Sequence, residues 1–208
     1  MAILERKNQN LMNLIKKVHG AVENTDLEKH IQSQDHFGVL LSNNKDVEIK
    51  ELDIDGIHGE WISVNRAHMK KYVILYCHGG GYSTGSSIYA RTLTTKFAMS
   101  TSMDVLSFDY RLAPENPYPA ATQDAMRVWN YLMLLGYGAR DVIMAGDSAG
   151  GNLALSLVLK LKQENRLLPR GLCLMSPWTD LTASGRSHET RQDIDPVLDP
   201  AYLQKMTD

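Results

Sequence analysis

The sequence is poor in the features that mark disulfide-rich, metal-binding and membrane-spanning proteins. It has 2 cysteines in 208 residues, and it contains no Cys-x-x-Cys, no His-Glu-x-x-His and no phosphate-binding loop of the Walker type. No run of about 18 apolar residues occurs, which argues against a transmembrane helix. We therefore expect no bound metal, no cofactor and no membrane-spanning segment.

Charge of one sign is also lacking, because 22 Lys and Arg residues face 24 Asp and Glu residues. A net charge of -2 gives no reason to expect nucleic acid as a partner. The first residues, Met-Ala-Ile-Leu-Glu-Arg-Lys, lack the apolar core of a secretory signal, so we expect a cytoplasmic protein. A hydrophobic fraction of 43% is typical of a globular chain with one sizeable core.

The first 46 residues are predicted to form a polar helical segment. Leu4, Leu11, Ile15 and Val18 recur on one helix face, and this narrow apolar stripe favours packing onto a larger body. Two interpretations stay open for residues 1–46: a stabilising extension, or a cap that acts as a lid over an active site. Residues 47–208 then form the core domain.

The core domain begins with a hairpin and continues as alternating strands and helices. Residues 47–53 and 57–64 flank the turn residues Asp55 and Gly56, which is typical of an antiparallel hairpin. Short apolar runs follow at 72–77, 105–108, 142–145 and 172–175, separated by helical stretches near 89–101, 120–135 and 149–165. This α/β pattern predicts a mostly parallel sheet with helices on both faces. Cys77 and Cys173 lie in two of these runs and are expected to be buried and reduced.

The run at 142–145 leads into a turn that carries a candidate nucleophile. Gly146-Asp-Ser-Ala-Gly150 stands between an apolar strand and an apolar helix, as in a nucleophile elbow. Gly146 and Gly150 suit a sharp reversal in which a side chain would collide with its neighbours. Ser148 would stand at a helix N-terminus, where free N–H groups favour developing negative charge. The alternative is a Gly- and Ser-rich turn without chemistry.

A second candidate site segment is His78-Gly79-Gly80-Gly81-Tyr82, directly after the run at 72–77. Consecutive glycines allow backbone N–H groups to approach a bound atom, and two of these amides with that of Ala149 would suit an oxyanion hole. A flexible loop and a phosphate cradle are the alternatives, although no Lys-Ser/Thr follows. His78 is interpreted as a brace for the loop and not as a base.

Other residues near these segments have structural and functional interpretations. Asp147 is expected to bind N–H groups of a neighbouring loop, and Asp109 or Arg111 to tie together the loop around Ser148. Tyr82 and Trp178 are candidates for the wall of an acyl pocket, with simple packing as the alternative.

Four motifs in a fixed order give the sequence a specific resemblance. They are His78-Gly-Gly-Gly-Tyr82, Asp109-Tyr-Arg-Leu-Ala-Pro-Glu115, Gly146-Asp-Ser-Ala-Gly-Gly-Asn152 and Ser176-Pro-Trp-Thr-Asp-Leu181. From about residue 47 onwards the chain resembles the hormone-sensitive-lipase family of α/β-hydrolases, which includes bacterial acetyl esterases and arylesterases. The resemblance implies an α/β-hydrolase fold, a cap built partly from the N-terminal segment, and hydrolysis of small esters with short acyl chains. It also implies that Ser148 is the nucleophile, and that the glycines and Ala149 supply the oxyanion hole.

A serine hydrolase needs an acid and a histidine, which on this fold follow the serine in that order. No apolar strand-like run occurs between Ser176 and Asp208, and His188, the only histidine after Ser148, precedes Asp195 and Asp199. We therefore expect the acid and base to lie beyond residue 208, in a longer esterase of which this is the N-terminal portion. The core would end in a cap-type insertion, the strand at 171–175 would be an exposed edge, and the 208-residue chain alone would be nearly inactive.

Two other functions share the same residues. One is a non-catalytic protein that binds a small ligand on the hydrolase scaffold, and the other is an amidase or deacetylase. The sequence does not determine the oligomeric state. The resemblance is compatible with a homodimer of the longer protein.

Overall fold

The structure is a computed structural model that describes residues 8–10, 12–13, 27–42, 44–68, 71–191 and a few positions between 194 and 206. It divides into two compact units, Met1–His30 with Asp180–Asp208, and Ile31–Thr179. The unit that carries the sheet thus includes residues from Ile31 onwards, and the division of the chain at residue 47 stays a prediction. Leu4, Leu11, Ile15 and Val18, on which the predicted apolar face depends, lie outside the described residues.

The elements alternate as the sequence predicts. The helices are α1 (Leu27–Ser42), α2 (Ser87–Thr101), α3 (Ala120–Leu134), α4 (Ser148–Gln163) and the short α5 (Ser187–Thr190). The strands are β1 (Val47–Ile54), β2 (Ile57–Val64), β3 (Val73–Cys77), β4 (Asp104–Phe108), β5 (Val142–Asp147) and β6 (Gly171–Met175). Among the described helices, none combines the length and the hydrophobicity that a bilayer crossing requires.

The strands form one sheet in the order β1-β2-β4-β3-β5-β6. β2 pairs antiparallel with both β1 and β4, and the pairs β4–β3, β3–β5 and β5–β6 are parallel. Asp55 and Gly56 have φ of 52° and 83°, the left-handed values that a tight hairpin turn requires. The predicted N-terminal hairpin and mostly parallel sheet of an α/β-hydrolase fold are confirmed.

Helices cover both faces of the sheet. On one face, Trp129 and Leu132 of α3 and Leu153 and Leu157 of α4 pack with Leu75 of β3. On the other face, a second apolar cluster includes Ala90 and Ala98 of α2 with Ile74, Tyr76 and Val105 of the sheet. Burying one large apolar side chain contributes about 1.5–3 kcal/mol, so these two layers hold the central strands rigidly.

The helix α1 also packs on the sheet unit through its second part. Asp35 accepts a hydrogen bond from the hydroxyl of Ser86, which caps α2. A methyl group on Gly38 would lie 2.1 Å from the carbonyl oxygen of Ile88, so the two backbones touch. Whether residues 1–46 act as a lid stays a prediction.

The outer strand β6 corrects one expectation and confirms another. As predicted, it is an exposed edge of the sheet, hydrogen-bonded only to β5 among the described residues. The prediction that its apolar run is buried is wrong: Leu172 is 38% exposed, and Cys173 is an exposed thiol. An apolar run shows that a strand can be buried, but burial also needs a neighbour on its free side. Cys77, in the centre of the sheet, is fully buried.

Candidate active site

The two segments singled out by the sequence meet at the carboxyl edge of the sheet. Cys77 at the end of β3 lies opposite Gly146 near the end of β5 in parallel register. The glycine loop starts directly after β3, and Ser148 begins α4 directly after β5. Ligands of open α/β sheets bind outside the carboxyl ends of the strands. Parallel pairing alone therefore brings both segments to the place where a ligand would bind.

The turn at Ser148 is strained in the way that an elbow requires. Ser148 has φ of 52°, a left-handed value that residues other than glycine rarely adopt. A methyl group on Gly146 would lie 2.5 Å from the carbonyl oxygen of Gly150, and one on Gly150 would lie 2.1 Å from that of Cys77. Glycine is therefore needed at both positions, because β3, β5 and the start of α4 are in backbone contact.

Ser148 is half-buried, and its hydroxyl has no hydrogen-bond partner in the part of the chain that the structure describes. The main chain of Ser148 is held, because its carbonyl accepts the N–H of Trp178 at 2.9 Å. The residue after it, Ala149, is fully buried at the first turn of α4, where an amide has no partner within the helix. A fixed backbone with a free hydroxyl is the arrangement that a nucleophile needs.

The glycine loop has a left-handed backbone at three consecutive residues. Gly80, Gly81 and Tyr82 have φ of 123°, 62° and 63°. The carbonyl of Gly80 accepts the N–H groups of Ser83 and Thr84 at 3.1 and 2.9 Å, which closes the turn. Among the described residues, the amides of Gly80 and Gly81 have no acceptor. These two N–H groups are therefore available to a ligand.

The N–H of Gly79 is already engaged, because it donates to Oδ1 of Asp147 at 2.9 Å. Of the three glycine amides predicted for an oxyanion hole, those of Gly80 and Gly81 therefore stay the candidates. Glycine is needed there for space, since a methyl group on Gly79 would lie 2.3 Å from Oδ2 of Asp147. Three consecutive glycines do not reveal which amide is engaged, because the acceptor comes from another strand.

Asp147 joins the elbow to the start of the glycine loop. Besides the N–H of Gly79, its Oδ1 accepts the hydroxyl of the buried Tyr76 at 2.6 Å. Burial, together with the charge of Asp147, raises the pKa of Tyr76 well above its usual value, which keeps this phenol a donor. The carboxylate thus ties the start of the glycine loop and Tyr76 to the end of β5.

His78 lies beneath the glycine loop. Its ring is 1% exposed and stacks on Tyr110, with centroids 4.1 Å apart. Nδ1 lies 2.8 Å from the carbonyl oxygen of Gly79, which can only accept, so Nδ1 carries the proton. Burial lowers the pKa of His78, which keeps the ring neutral. Its Nε2 has no partner among the described residues, and the histidine is placed to support the loop.

Tyr82 and Trp178, the two candidates for a pocket wall, are connected through Asn152, which was not among the predicted site residues. The hydroxyl of Tyr82 donates to Oδ1 of Asn152 at 2.6 Å, and Nδ2 of Asn152 donates to the carbonyl of Trp178 at 2.8 Å. Asn152 lies one helical turn after Ser148, on the same side of α4. This spacing is the signal in the sequence that could have identified Asn152 as a residue near the candidate site.

The loop after β4 is anchored by charged groups. Asp109 accepts the N–H of Ser87 at 2.5 Å and pairs with Nδ1 of His58 at 2.8 Å. The guanidinium of Arg111 binds both carboxylate oxygens of the fully buried Asp124, with Nε and Nη2 at 2.8 and 2.9 Å. Both contacts are structural, and neither His58 nor Asp124 could be identified from the sequence.

The residues after Thr179 belong to the other compact unit. His188 lies in the short helix α5, and its N–H donates to the carbonyl of Gly185. Asp195 accepts the N–H of Leu198 at 2.8 Å, and Asp199 lies outside the described residues. The prediction that none of these residues completes a triad remains a prediction.

Comparisons with known proteins agree with the fold and with the motifs. A family model described as the alpha/beta hydrolase fold matches residues 74–208. An esterase of Acinetobacter venetianus is 40% identical over 165 residues, which are 79% of this chain and 54% of the relative. An acetyl-hydrolase of Streptomyces hygroscopicus is 37% identical over 177 residues, 85% of this chain and 57% of the relative.

A comparison with solved structures also identifies esterases as similar proteins. The crystal structure of an esterase from the bacterial hormone-sensitive lipase family superposes with a TM-score of 0.88 at 28% identity, covering 96% of this chain and 66% of that chain. The chain thus spans little more than half the length of the two curated relatives, at 54% and 57%.

Proposed function

Since the chain belongs to the hormone-sensitive-lipase family of α/β-hydrolases, we propose that it serves the hydrolysis of small carboxylic esters through an acyl-enzyme on Ser148. One observation carries the proposal: a half-buried serine with φ of 52° and a free hydroxyl, at the edge where the amides of Gly80 and Gly81 have no acceptor in the described part of the chain. The acetyl-hydrolase among the relatives supports a preference for short acyl groups.

In the proposed reaction, Oγ of Ser148 attacks the ester carbonyl carbon and its proton passes to a base. The carbonyl oxygen becomes an oxyanion, for which Gly80, Gly81 and Ala149 offer N–H donors. Removing one such donor typically costs about 2.7–4 kcal/mol of transition-state stabilisation. The bond to the alkoxy group then breaks and the alcohol takes a proton. Water afterwards attacks the acyl-enzyme, which releases the acid and restores the serine.

Among the described residues, none of the histidines of the unit Ile31–Thr179 is hydrogen-bonded to the hydroxyl of Ser148. His58 pairs with Asp109, His68 with Asp104 and the carbonyl of Arg66, and His78 with the carbonyl of Gly79. His36 is exposed on α1 and has no described contact with Ser148. Loss of the base from a triad of this kind costs on the order of a millionfold in turnover. We therefore propose that a base from outside this unit is needed, and that the 208-residue chain alone turns over slowly.

A panel of p-nitrophenyl acetate, butyrate and octanoate tests the proposal on the 208-residue chain and on Ser148→Ala, each with and without added imidazole. Imidazole is a small base, and it hydrolyses these esters itself, so Ser148→Ala gives the background. The proposal expects imidazole to increase the rate of the wild-type chain above that background, most strongly with acetate. Equal rates for the two proteins at every imidazole concentration would contradict it.

A ligand-binding protein on the same scaffold is the second candidate. It is favoured by the same observation, that no histidine of the unit Ile31–Thr179 is hydrogen-bonded to the hydroxyl of Ser148 among the described residues. Binding of a short ester or its acid, measured by calorimetry and weakened by Ser148→Trp, without any adduct on Ser148, would favour this candidate over the esterase.

A further inference from the structure

Asn152 connects two loops that are far apart in the sequence. It lies on α4 four residues after Ser148, and its side-chain amide contacts Tyr82 of the glycine loop and Trp178 of the loop after β6. The two partners are 70 and 26 residues away along the chain. We call the set Tyr82, Asn152 and Trp178 the Asn152 bridge.

The direction of the hydrogen bonds in the bridge follows from the chemistry of its members. The carbonyl of Trp178 can only accept, so it must face the NH2 group of Asn152. The amide oxygen of Asn152 then faces Tyr82, whose hydroxyl must donate. Burial raises the pKa of Tyr82, so the phenol keeps its proton at neutral pH. An aspartate at position 152 has no NH2 group and would satisfy only the Tyr82 end.

Each end of the bridge is attached to backbone that forms the candidate site. Tyr82 directly follows Gly81, has φ of 63°, and accepts the N–H of Ala113 on its own carbonyl at 2.9 Å. Trp178 donates its N–H to the carbonyl of Ser148 at 2.9 Å. A single amide therefore links the loop that bears the free N–H groups to the residue that bears the free hydroxyl.

We propose that Asn152 is a positioning residue, which holds the amides of Gly80 and Gly81 in a fixed relation to Ser148 by bonding to both loops. The value of this arrangement to catalysis rests on the proposed function, because an oxyanion hole works only when its donors are fixed before the reaction. The hydrogen bonds of Asn152 to both loops can be tested whether or not the chain hydrolyses esters.

The test uses hydrogen exchange of single amides, read by NMR on the 208-residue chain. Thr84 N–H, bonded to Gly80, reports on the glycine loop, and Trp178 N–H, bonded to Ser148, reports on the other loop. The variants are Asn152→Leu, which removes both bonds, Asn152→Asp, which removes the Trp178 bond, and Tyr82→Phe, which removes the Tyr82 bond. Leu159→Ala, at an exposed position of the same helix, is the matched control.

We expect Asn152→Leu to increase exchange about tenfold at both amides, the effect of losing one hydrogen bond at each end. Asn152→Asp should increase it at Trp178 only, and Tyr82→Phe at Thr84 only. Exchange at Leu75 and Leu106 in the central strands should not change. The inference fails if Asn152→Leu leaves Thr84 and Trp178 within twofold of wild type. It also fails if exchange increases equally in the central strands, which indicates a general loss of stability.

Ester hydrolysis supplies a separate readout in the presence of imidazole. If the bridge positions the oxyanion donors, Asn152→Leu lowers kcat about tenfold with little change in KM. Exchange is measured without substrate, so a chain with the expected exchange pattern and no hydrolysis overturns the proposed function and leaves the bridge intact. Normal kcat in Asn152→Leu, with increased exchange, overturns the positioning role alone.

Discussion

At the scale of single residues, the turn formed by Ser148 and its two glycines could be predicted from the sequence because its conformation is local. A strand, a reversal and a helix in succession leave one conformation for Gly146-Asp-Ser-Ala-Gly150, and the structure adopts it. The partner of Gly79 and the contacts of Asn152 could not be predicted from the sequence. Both depend on groups about 70 residues away, as in the Gly79–Asp147 pair separated by 68 positions.

Asp147 is expected to stabilise the fold through the glycine loop. Asp147→Ala leaves the N–H of Gly79 and the hydroxyl of Tyr76 without their acceptor, so we expect a loss of about 1–3 kcal/mol in the free energy of unfolding. Asp147→Asn keeps an acceptor oxygen and should lose less. Urea unfolding checks both. If Tyr76→Phe costs as much in the Asp147→Ala background as in the wild type, the hydrogen bond between the two side chains contributes nothing.

His78 should make stability depend on pH in a defined direction. Burial lowers its folded-state pKa below the ordinary value of 6.5, so below that pH the unfolded chain binds a proton that the folded chain does not. Stability is therefore full above 6.5 and falls as the pH drops below it, by at most about 1.4 kcal/mol per pH unit.

The comparison for this effect is His78→Gln, measured by urea unfolding at pH 7.5 and 5.5. The variant starts from a lower stability because it loses the stacking on Tyr110. Its decrease between the two pH values should be smaller than that of the wild type, and an equal or larger decrease would show that His78 is not the source.

At the scale of elements, the hairpin signal predicted the first two strands and the apolar runs predicted the other four, but burial depended on what lies beside a strand. Runs in the centre, such as β3 and β4, are buried on both faces because strands and helices surround them. β6 has a similar composition and is half-exposed. Composition therefore predicts the element, and neighbours in the sheet determine its environment.

The exposed edge at β6 is expected to cause self-association. On the side away from β5, the backbone of Leu172 and Cys173 has no strand partner in the described part of the chain, so it can pair with another strand. We expect Leu172→Lys to reduce light scattering of the concentrated protein at 37 °C while leaving urea unfolding nearly unchanged. Leu159→Lys, at an apolar position of α4 that is 59% exposed, is the control. An equal effect of both substitutions would indicate general surface hydrophobicity and not the strand edge.

The contact between the loop after β4 and helix α3 should depend on Arg111. Asp124 is fully buried, so Arg111→Ala leaves a buried carboxylate without its bidentate partner. Arg127, 3.5 Å from the same carboxylate, and the 45% exposure of the Arg111 side chain moderate the loss. We expect Arg111→Ala to lower the urea concentration at the midpoint of unfolding, and Arg111→Lys to lower it less. If the alanine and lysine variants are equally stable, the bidentate contact of Arg111 with Asp124 is not the cause of the lost stability.

At the scale of the whole molecule, the parallel sheet is what assembles the site. The carboxyl ends of β4, β3, β5 and β6 deliver the loop of Asp109, the glycine loop, Ser148 and Trp178 to one edge. The resemblance implied the α/β-hydrolase fold, and the alternation of strands and helices predicted a mostly parallel sheet independently of it. The hydrogen bonds that tie these loops together follow only from the assembled structure.

The central claim is that Ser148 is a nucleophile facing donors that stabilise an oxyanion. Peptide mapping by mass spectrometry tests it most directly, after the 208-residue chain is treated with a fluorophosphonate in the presence of imidazole. The account predicts one adduct, on Ser148, which disappears in Ser148→Ala and forms more slowly in Asn152→Leu. An unlabelled Ser148, or labelling spread over other serines at similar rates, would contradict it.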